Sequence, residues 1–327
     1  MAAFARILGF GHYLPAKVMT NADFEKLVET SDEWIRTRTG IQERHFTEEG
    51  ETASTMAAEA AKRAIEKSGI DKNNIDAIIV ATVTADMHYP STAALVQRAL
   101  GITRPVPSFD IGAACAGFVF GLTIADSFIK SGLYRTVLLI GAENLSKFTD
   151  MQDRNTCVIF GDGAGAAIIQ ASDKPGILAS HLATDGNYTH LIEFPAGGSR
   201  LPATHETVEQ RLHYTRMEGQ EVYKQAVKDM SEAALEAMKR AGLTLDQISW
   251  VIPHQANTRI IETVGKRLNF PMEKVFQNIA HVGNTSAASI PIALSEMEQQ
   301  GLLKREQNIV LTALGSGLTY GSVAFRY

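Results

Sequence analysis

An internal repeat constrains the fold more than any other feature of this chain. Residues 60–70 and 233–243 both read as amphipathic helices closed by a glycine, Gly69 and Gly242, which supplies a left-handed cap. An Asp- and amide-bearing turn follows each, then an apolar strand over 75–81 and 248–254. Gly69 and Gly242, like Ala81 and His254, are 173 positions apart, so helix, cap and strand match without a gap. Chance similarity between two Ala-rich units is the competing explanation. The shared register favours duplication. A chain of 327 residues is long enough for two such halves, expected over 1–175 and 176–327. Runs at 137–141 and 164–169 read as further central strands of the first half, and 309–314 and 321–325 as those of the second. The polar stretch 180–216 reads as boundary and surface excursion.

The repeat gives three loops a common location. Cys115 follows a short strand-like run, 107–111, expected to be buried, and precedes Phe118, Leu122, Ile124, Ala125 and Phe128 at helical spacing. A thiol at such a corner lies at the positive end of a helix dipole, which favours thiolate. On this segment alone, Cys115 reads equally as a nucleophile or as a small core thiol. Adding 173 to its position leads to Ala288, in the segment that also holds Gly283, Asn284, Thr285 and Ser286. His254 ends the strand equivalent to the one ending at Ala81. Reactive groups of α/β sheets gather beyond the carboxyl ends of strands, so Cys115, His254 and Asn284 are expected to converge.

Those residue types suit one chemistry. A Cys sulfur can take an acyl group from a thioester. A malonyl thioester that loses CO2 supplies a carbon nucleophile, an enolate. Two neutral donors, an imidazole N–H from His254 and the amide of Asn284, would stabilise its oxygen, where a carboxylate would repel it. Singly, His254 reads as a structural histidine and Asn284 as a turn residue. Beside a helix-start Cys they read as functional.

Other chemistries find little support. The glycine run 161–166 precedes a strand instead of following one and opening a helix, so it reads as a tight turn and not a dinucleotide loop. No histidine pair has convincing metal spacing, and no metal or cofactor is expected. A net charge of −5 gives no general attraction to nucleic acid or anionic membranes. Two cysteines, with no apolar leader and no long charge-free apolar run, point to a reducing, cytoplasmic setting and against a Cys115–Cys157 disulfide.

The chain resembles the β-ketoacyl-acyl-carrier-protein synthase III family, condensing enzymes of the thiolase fold. The resemblance runs from Thr20-Asn21-Ala22-Asp23 to Gly321. It is carried by Thr30-Ser31-Asp32-Glu33-Trp34, Arg38-Thr39-Gly40-Ile41, Ala113-Ala114-Cys115-Ala116-Gly117, Phe160-Gly161-Asp162-Gly163-Ala164-Gly165, Pro253-His254-Gln255-Ala256-Asn257 and Gly283-Asn284-Thr285-Ser286. It implies a five-layered αβαβα architecture of two pseudo-symmetric halves, a homodimer, and an initiating role in fatty acid synthesis. An acyl-CoA starter, commonly acetyl-CoA, would acylate Cys115. His254 and Asn284 would promote decarboxylation of malonyl-acyl-carrier protein, giving a 3-ketoacyl-carrier protein. Coenzyme A enters as substrate, not as cofactor. By position, Trp34, Arg38 and Arg154 match residues that hold the adenine and phosphates of coenzyme A, and stacking with Arg–phosphate pairing suits that task. Lys224, Arg259, Lys266 and Arg267 match the family's basic patch for acidic carrier protein; Arg259 and Lys266 share a helix face, and Lys228 follows Lys224 by one turn.

Three departures stand out. The family's glycine triplet is Gly315-Ser316-Gly317 here. Serine keeps the backbone N–H that, with that of Cys115, would serve the acyl-enzyme oxyanion, but it tolerates positive φ poorly. Val282 stands where Tyr or His is frequent. Tyr89 replaces a frequent Phe in the segment that lines the partner subunit's acyl pocket. Competing readings are a related acyltransferase or condensing enzyme of specialised metabolism, a type III polyketide synthase, a thiolase, and a catalytically silent subunit. A thiolase would want a second reactive Cys, and Cys157, in an apolar strand-like run, does not read as one.

Overall fold

The computed structural model describes residues 4–327. Its first sheet has five strands, in the order Phe4–Tyr13, Gly163–Ser172, Thr136–Glu143, Ala77–Ala81, Ser108–Ile111. The last three run parallel, and the other two join antiparallel. A four-stranded second sheet runs Ile248–Pro253, Asn308–Gly315, Thr319–Arg326, Ile177–Thr184. It repeats that pattern with one parallel pair where the first sheet has two, followed by two antiparallel ones. The central strands are apolar runs because both faces are covered.

Helices complete five layers. Ala53–Ser68 covers the outer face of the first sheet, and Gly219–Ala241 that of the second. Between the sheets lie Gly117–Lys130 and Ser289–Gln299, whose inward side chains (Phe118, Leu122, Ile290, Leu294) join one buried cluster. The repeated glycines cap as expected: Gly69 has φ 70° and Gly242 φ 67°.

The repeat also has limits. Ser108–Ile111 is half-buried, not buried, because it is the outer strand of its sheet. Its counterpart in the second half is reduced to a single parallel bridge between Val251 and Val275. The stretch 180–216 is only partly surface excursion, since 180–184 lies in an outer strand of the second sheet. Cys157 closes a short helix, Arg154–Cys157, where a strand was expected; an Asp153 cap on the Asn155 N–H turns the chain there.

Candidate active site

Cys115 sits in a tight turn, Ala114–Ala116, that opens the helix Gly117–Lys130. A second turn, Ser286–Ala288, opens the helix Ser289–Gln299. Each starts on a non-glycine residue in the left-handed region, Ala114 at φ 45° and Ser286 at φ 48°. Aligned on those residues, Cys115 faces Ala287, one position short of the offset that the strands keep.

The turns are packed by strands of opposite sheets. A Cβ on Gly141, in the first sheet, would lie 2.2 Å from the Ala287 carbonyl oxygen. A Cβ on Gly315, in the second, would lie 2.6 Å from the Cys115 backbone nitrogen. Both sites therefore demand glycine, for approach and not for dihedral freedom. The glycine run 161–165 serves the same end. Side chains at Gly161 or Gly165 would strike backbone at Val282 or 291–292, and Asp162 accepts from the Thr47 and Ser146 N–H groups, so the run packs the first sheet against the helix Ser289–Gln299 and the segment before Asn284 and is not a phosphate loop.

One cavity of about 1140 Å³ is lined by Cys115, His254, Asn284 and Ser316, together with Trp34, Arg38, Lys224 and Arg259. Cys115 is partly exposed to it, whereas His254 is 2% exposed. Burial pushes the Cys115 thiol up to about 12, with the Ser286 hydroxyl opposing and the Glu143 charge adding to the rise. Dehydration thus opposes the preference for thiolate that the helix start provides. Burial holds His254 down at about 3, so its imidazole is neutral. His254 Nδ1 lies 2.7 Å from Ser289 Oγ. Asn284 Oδ1 accepts from the Ser286 N–H at 2.9 Å, and among the described residues the Asn284 amide nitrogen has no protein partner. Asn284 is also pinned by its backbone, which bridges to Phe160 and exchanges bonds with Ile159 and Gly161.

Ser316 does not adopt positive φ. Gly317 does, at 132°, so the serine departure carries no dihedral cost. The Ser316 hydroxyl donates to the Ile192 carbonyl. At the mouth, the Arg38 and Arg154 guanidinium carbons lie 4.9 and 5.1 Å from the Trp34 ring centroid, although Arg154 is not among the cavity-lining residues. Arg154 also donates to the Glu29 carbonyl. Lys224 sits beside the cavity on the long outer helix, paired with Glu221 at 2.5 Å. Arg259 donates to the Thr37 carbonyl, and Lys266 and Arg267 are exposed on the same helix, Thr258–Arg267. Tyr89 lies outside the cavity and is 86% exposed.

Sequence reasoning missed Ser289, Ser286 as a hydrogen-bonding group, and Glu143. The carboxylate of Glu143 is fully buried behind Ser286, whose hydroxyl donates to it at 3.0 Å. A single Glu at the end of an apolar strand was the available signal. Both cysteines are free. Among the described residues no group of three His, Cys, Asp or Glu is placed to hold a metal, and no helix is long and apolar enough to cross a membrane.

A thiol, a neutral imidazole and an amide around one cavity, on two interlocked α/β halves, define a thiolase-fold condensing enzyme. Family descriptions for 3-oxoacyl-[acyl-carrier-protein] synthase III match residues 109–186, and for its C-terminal part residues 238–327. The chain is 52% identical over 324 residues to the β-ketoacyl-[acyl-carrier-protein] synthase III of Caldanaerobacter subterraneus, covering 99% of this chain and 98% of that protein. The enzyme of the same name from Clostridioides difficile is 49% identical over 323 residues, with 99% and 98% covered. The crystal structure of 3-oxoacyl-[acyl-carrier-protein] synthase III from Aquifex aeolicus superposes with a TM-score of 0.91 at 48% identity, covering 99% of this chain and 100% of that one. The priming β-ketosynthase of the R1128 polyketide pathway superposes at 0.93 with 35% identity, covering 99% and 96%. The chain belongs to the β-ketoacyl-[acyl-carrier-protein] synthase III family, acyltransferases that start fatty acid synthesis.

Proposed function

We propose that this chain carries out both half-reactions of its family, the first half supplying the nucleophile and the second the decarboxylation donors. In the first, Cys115 attacks the carbonyl of an acyl-CoA, with acetyl-CoA the favoured starter. The backbone N–H groups of Cys115 and Ser316 hold the oxyanion. Coenzyme A lies along the mouth, its adenine against Trp34 and its phosphates toward Arg38 and Arg154. An adenine stacked on Trp34 would displace one of the guanidiniums now over that ring.

In the second, malonyl-acyl-carrier protein enters from the same side. Lys224, Arg259, Lys266 and Arg267 form its docking surface, a local basic patch on a chain of net charge −5. As CO2 departs, the enolate oxygen receives hydrogen bonds from His254 Nε2–H and the Asn284 amide. Donation from the Ser289 hydroxyl to Nδ1 keeps the histidine proton on Nε2. A neutral histidine donates without a titration step, which its burial supports. The enolate carbon then attacks the acyl-Cys115 thioester, giving the 3-ketoacyl-carrier protein and a free thiol.

The protein acts as a homodimer in the cytoplasm. Val83, Met87 and Tyr89, all at least 49% exposed, lie in the loop after the Ala77–Ala81 strand and offer an apolar face for a second copy. Tyr89 would then reach the partner's acyl pocket. The observation that carries the reading is the shared cavity of Cys115, His254 and Asn284. Labelled acetyl-CoA tests it: wild type should retain label on Cys115, and Cys115→Ser should not. Equal transfer to both would contradict the assignment. Longer acyl-CoAs in the same assay rank the starters.

A further inference from the structure

We propose that Asn257 and Arg259 hold the helix Asp32–Thr39 against the mouth of the cavity, and that carrier protein docking on Arg259 loosens it, so docking and coenzyme A binding oppose each other. The inference rests on the reading of Trp34 and Arg38 as coenzyme A contacts and of Arg259 as part of the docking surface.

The helix that carries Trp34 and Arg38 has 8 residues, too few to hold itself together, so its ends need outside support. At its start the Ser31 hydroxyl accepts from the Trp34 N–H. At its far end the last carbonyls have no partner within the helix. Gly40, at φ 81°, donates to the Arg36 carbonyl. The next two N–H groups turn elsewhere, Ile41 to Thr39 Oγ and Gln42 to the Ala280 carbonyl. The Thr37 and Arg38 carbonyls are met instead from the second half of the chain. Arg259 Nε and Nη2 donate to the Thr37 carbonyl at 3.2 and 2.9 Å, and Asn257 Nδ2 donates to the Arg38 carbonyl at 2.9 Å. A guanidinium in that place also faces the negative end of the helix dipole.

Both donors belong to one short segment. Asn257 follows His254 by three residues and caps the helix Thr258–Arg267, its Oδ1 accepting from the Arg259 N–H at 2.8 Å. The two helices are closely joined. A Cβ on Gly40 would lie 1.9 Å from Thr258 Oγ, and Ile35 shares a buried cluster with Ile260, Ile261 and Val264. Trp34, Arg38, Asn257 and Arg259 all line the one cavity. The coenzyme A contacts of the first half are therefore placed by side chains of the second.

The coupling follows from how Arg259 is used. Its Nε–Nη2 edge, now on Thr37, is one at which a guanidinium grips a carboxylate with two parallel bonds. A carboxylate of an acidic carrier is a stronger acceptor than a backbone carbonyl and draws that edge away. Lys224 and Lys266 already pair with Glu221 and Glu262, whereas among the described residues Arg259 has no carboxylate partner. Once Arg259 turns, the Thr37 carbonyl is left to water and the end of the helix slackens, taking Trp34 and Arg38 from coenzyme A. By linkage, bound coenzyme A weakens docking by the same factor. The order suits the chemistry, because coenzyme A has to leave the mouth before the pantetheine arm of the malonyl carrier enters it.

The test is calorimetric titration of coenzyme A into wild type, Asn257→Ala, Arg259→Met and Trp34→Ala. It is repeated in wild type and Arg259→Lys with saturating acyl carrier protein that lacks its pantetheine arm and so cannot enter the cavity. Asn257→Ala and Arg259→Met should each raise the Kd by about 5-fold, as loss of one hydrogen-bonded contact does. In both, the KM of acetyl-CoA should rise more than that of acetyl-pantetheine, which has no adenine or phosphate to meet Trp34 and Arg38. Equal losses on the two substrates would mean a general disturbance of the cavity and would overturn the positioning role. The armless carrier should weaken coenzyme A binding about 5-fold in wild type, and less in Arg259→Lys, which keeps the charge without the fork. A carrier effect of equal size in the two, or unchanged coenzyme A affinity in Asn257→Ala and Arg259→Met, overturns the proposal. Trp34→Ala binding coenzyme A as wild type does, or a carrier that does not bind wild type, would instead overturn the readings beneath it.

Discussion

The two turns that face each other across the centre of this molecule share a backbone and differ in what they carry. Ala114–Ala116 presents a thiol where Ser286–Ala288 presents a methyl group, and the first residue is Ala in one and Ser in the other. Each turn is pressed by a glycine from the opposite half, Gly315 on the Cys115 side and Gly141 on the other. The load-carrying geometry is shared, and the side chains differ. One turn carries Cys115, the proposed acyl carrier, and the segment around the other holds Asn284, Ser286 and Ser289. Neither half can complete the set, because each turn is shaped by a strand of the other.

Substitutions can break that division in order of expected size. Cys115→Ser should remove acylation almost completely, a loss of at least about 10⁴ in single-turnover rate, because an alkoxide is far harder to form than a thiolate. His254→Ala and Asn284→Ala should each cost roughly 3–4 kcal/mol in decarboxylation of malonyl-carrier protein, as an oxyanion donor does. Measured separately, Cys115 acetylation should change little in both.

Glycine substitutions sharpen the comparison. Gly141→Ala and Gly315→Ala each force a methyl group against backbone and should each cost about 1–3 kcal/mol in urea unfolding. Only Gly315→Ala meets the Cys115 N–H directly, so it should lower acetylation more than its partner does. Equal acetylation in the two would mean that the turns are not separately buttressed. At the mouth, Trp34→Ala should raise the KM for acetyl-CoA by roughly 5-fold, given a cation–π or stacking contact of about 1 kcal/mol, with kcat nearly unchanged.

The smallest effect lies behind the second turn. His281 is raised by its bond to Glu296 at 3.0 Å. Burial pushes Glu296 upward, but His281 and the Asn278 amide outweigh it and hold it below its ordinary value. The glutamate contribution is present above its unfolded pKa and is lost as pH falls through its folded one. The histidine contribution is present below its unfolded pKa and is lost as pH rises. The pair therefore supports the fold best between the usual carboxylate and imidazole ranges. His281 is 47% exposed, so His281→Gln should flatten the stability profile there by no more than about 1 kcal/mol.

Much of this was legible in the residues. Helix, glycine cap and strand kept one offset because they are packed on both sides, so an inserted residue would shift every buried side chain against its neighbours. The offset changed at the turns, where loop length is free, so Cys115 faces Ala287 instead of Ala288. The outer strand Ser108–Ile111 lost its counterpart because an edge is not held on both sides. The Cys, His and Asn could be picked out because a helix-start thiol, a strand-end histidine and a turn asparagine are unusual together. Glu143 and Ser289 could not, since a Glu after a strand and a Ser before a helix read as ordinary ends. The dipole that favours a Cys115 thiolate is visible in sequence, and the dehydration that opposes it is not.

The division of labour is tested most directly in the double variant His254→Ala/Asn284→Ala, given acetyl-CoA and then labelled malonyl-acyl-carrier protein. Mass spectrometry should find acetyl accumulated on Cys115, while release of labelled CO2 falls to background. Loss of acetylation together with CO2 release, in a variant that still folds, would contradict the account.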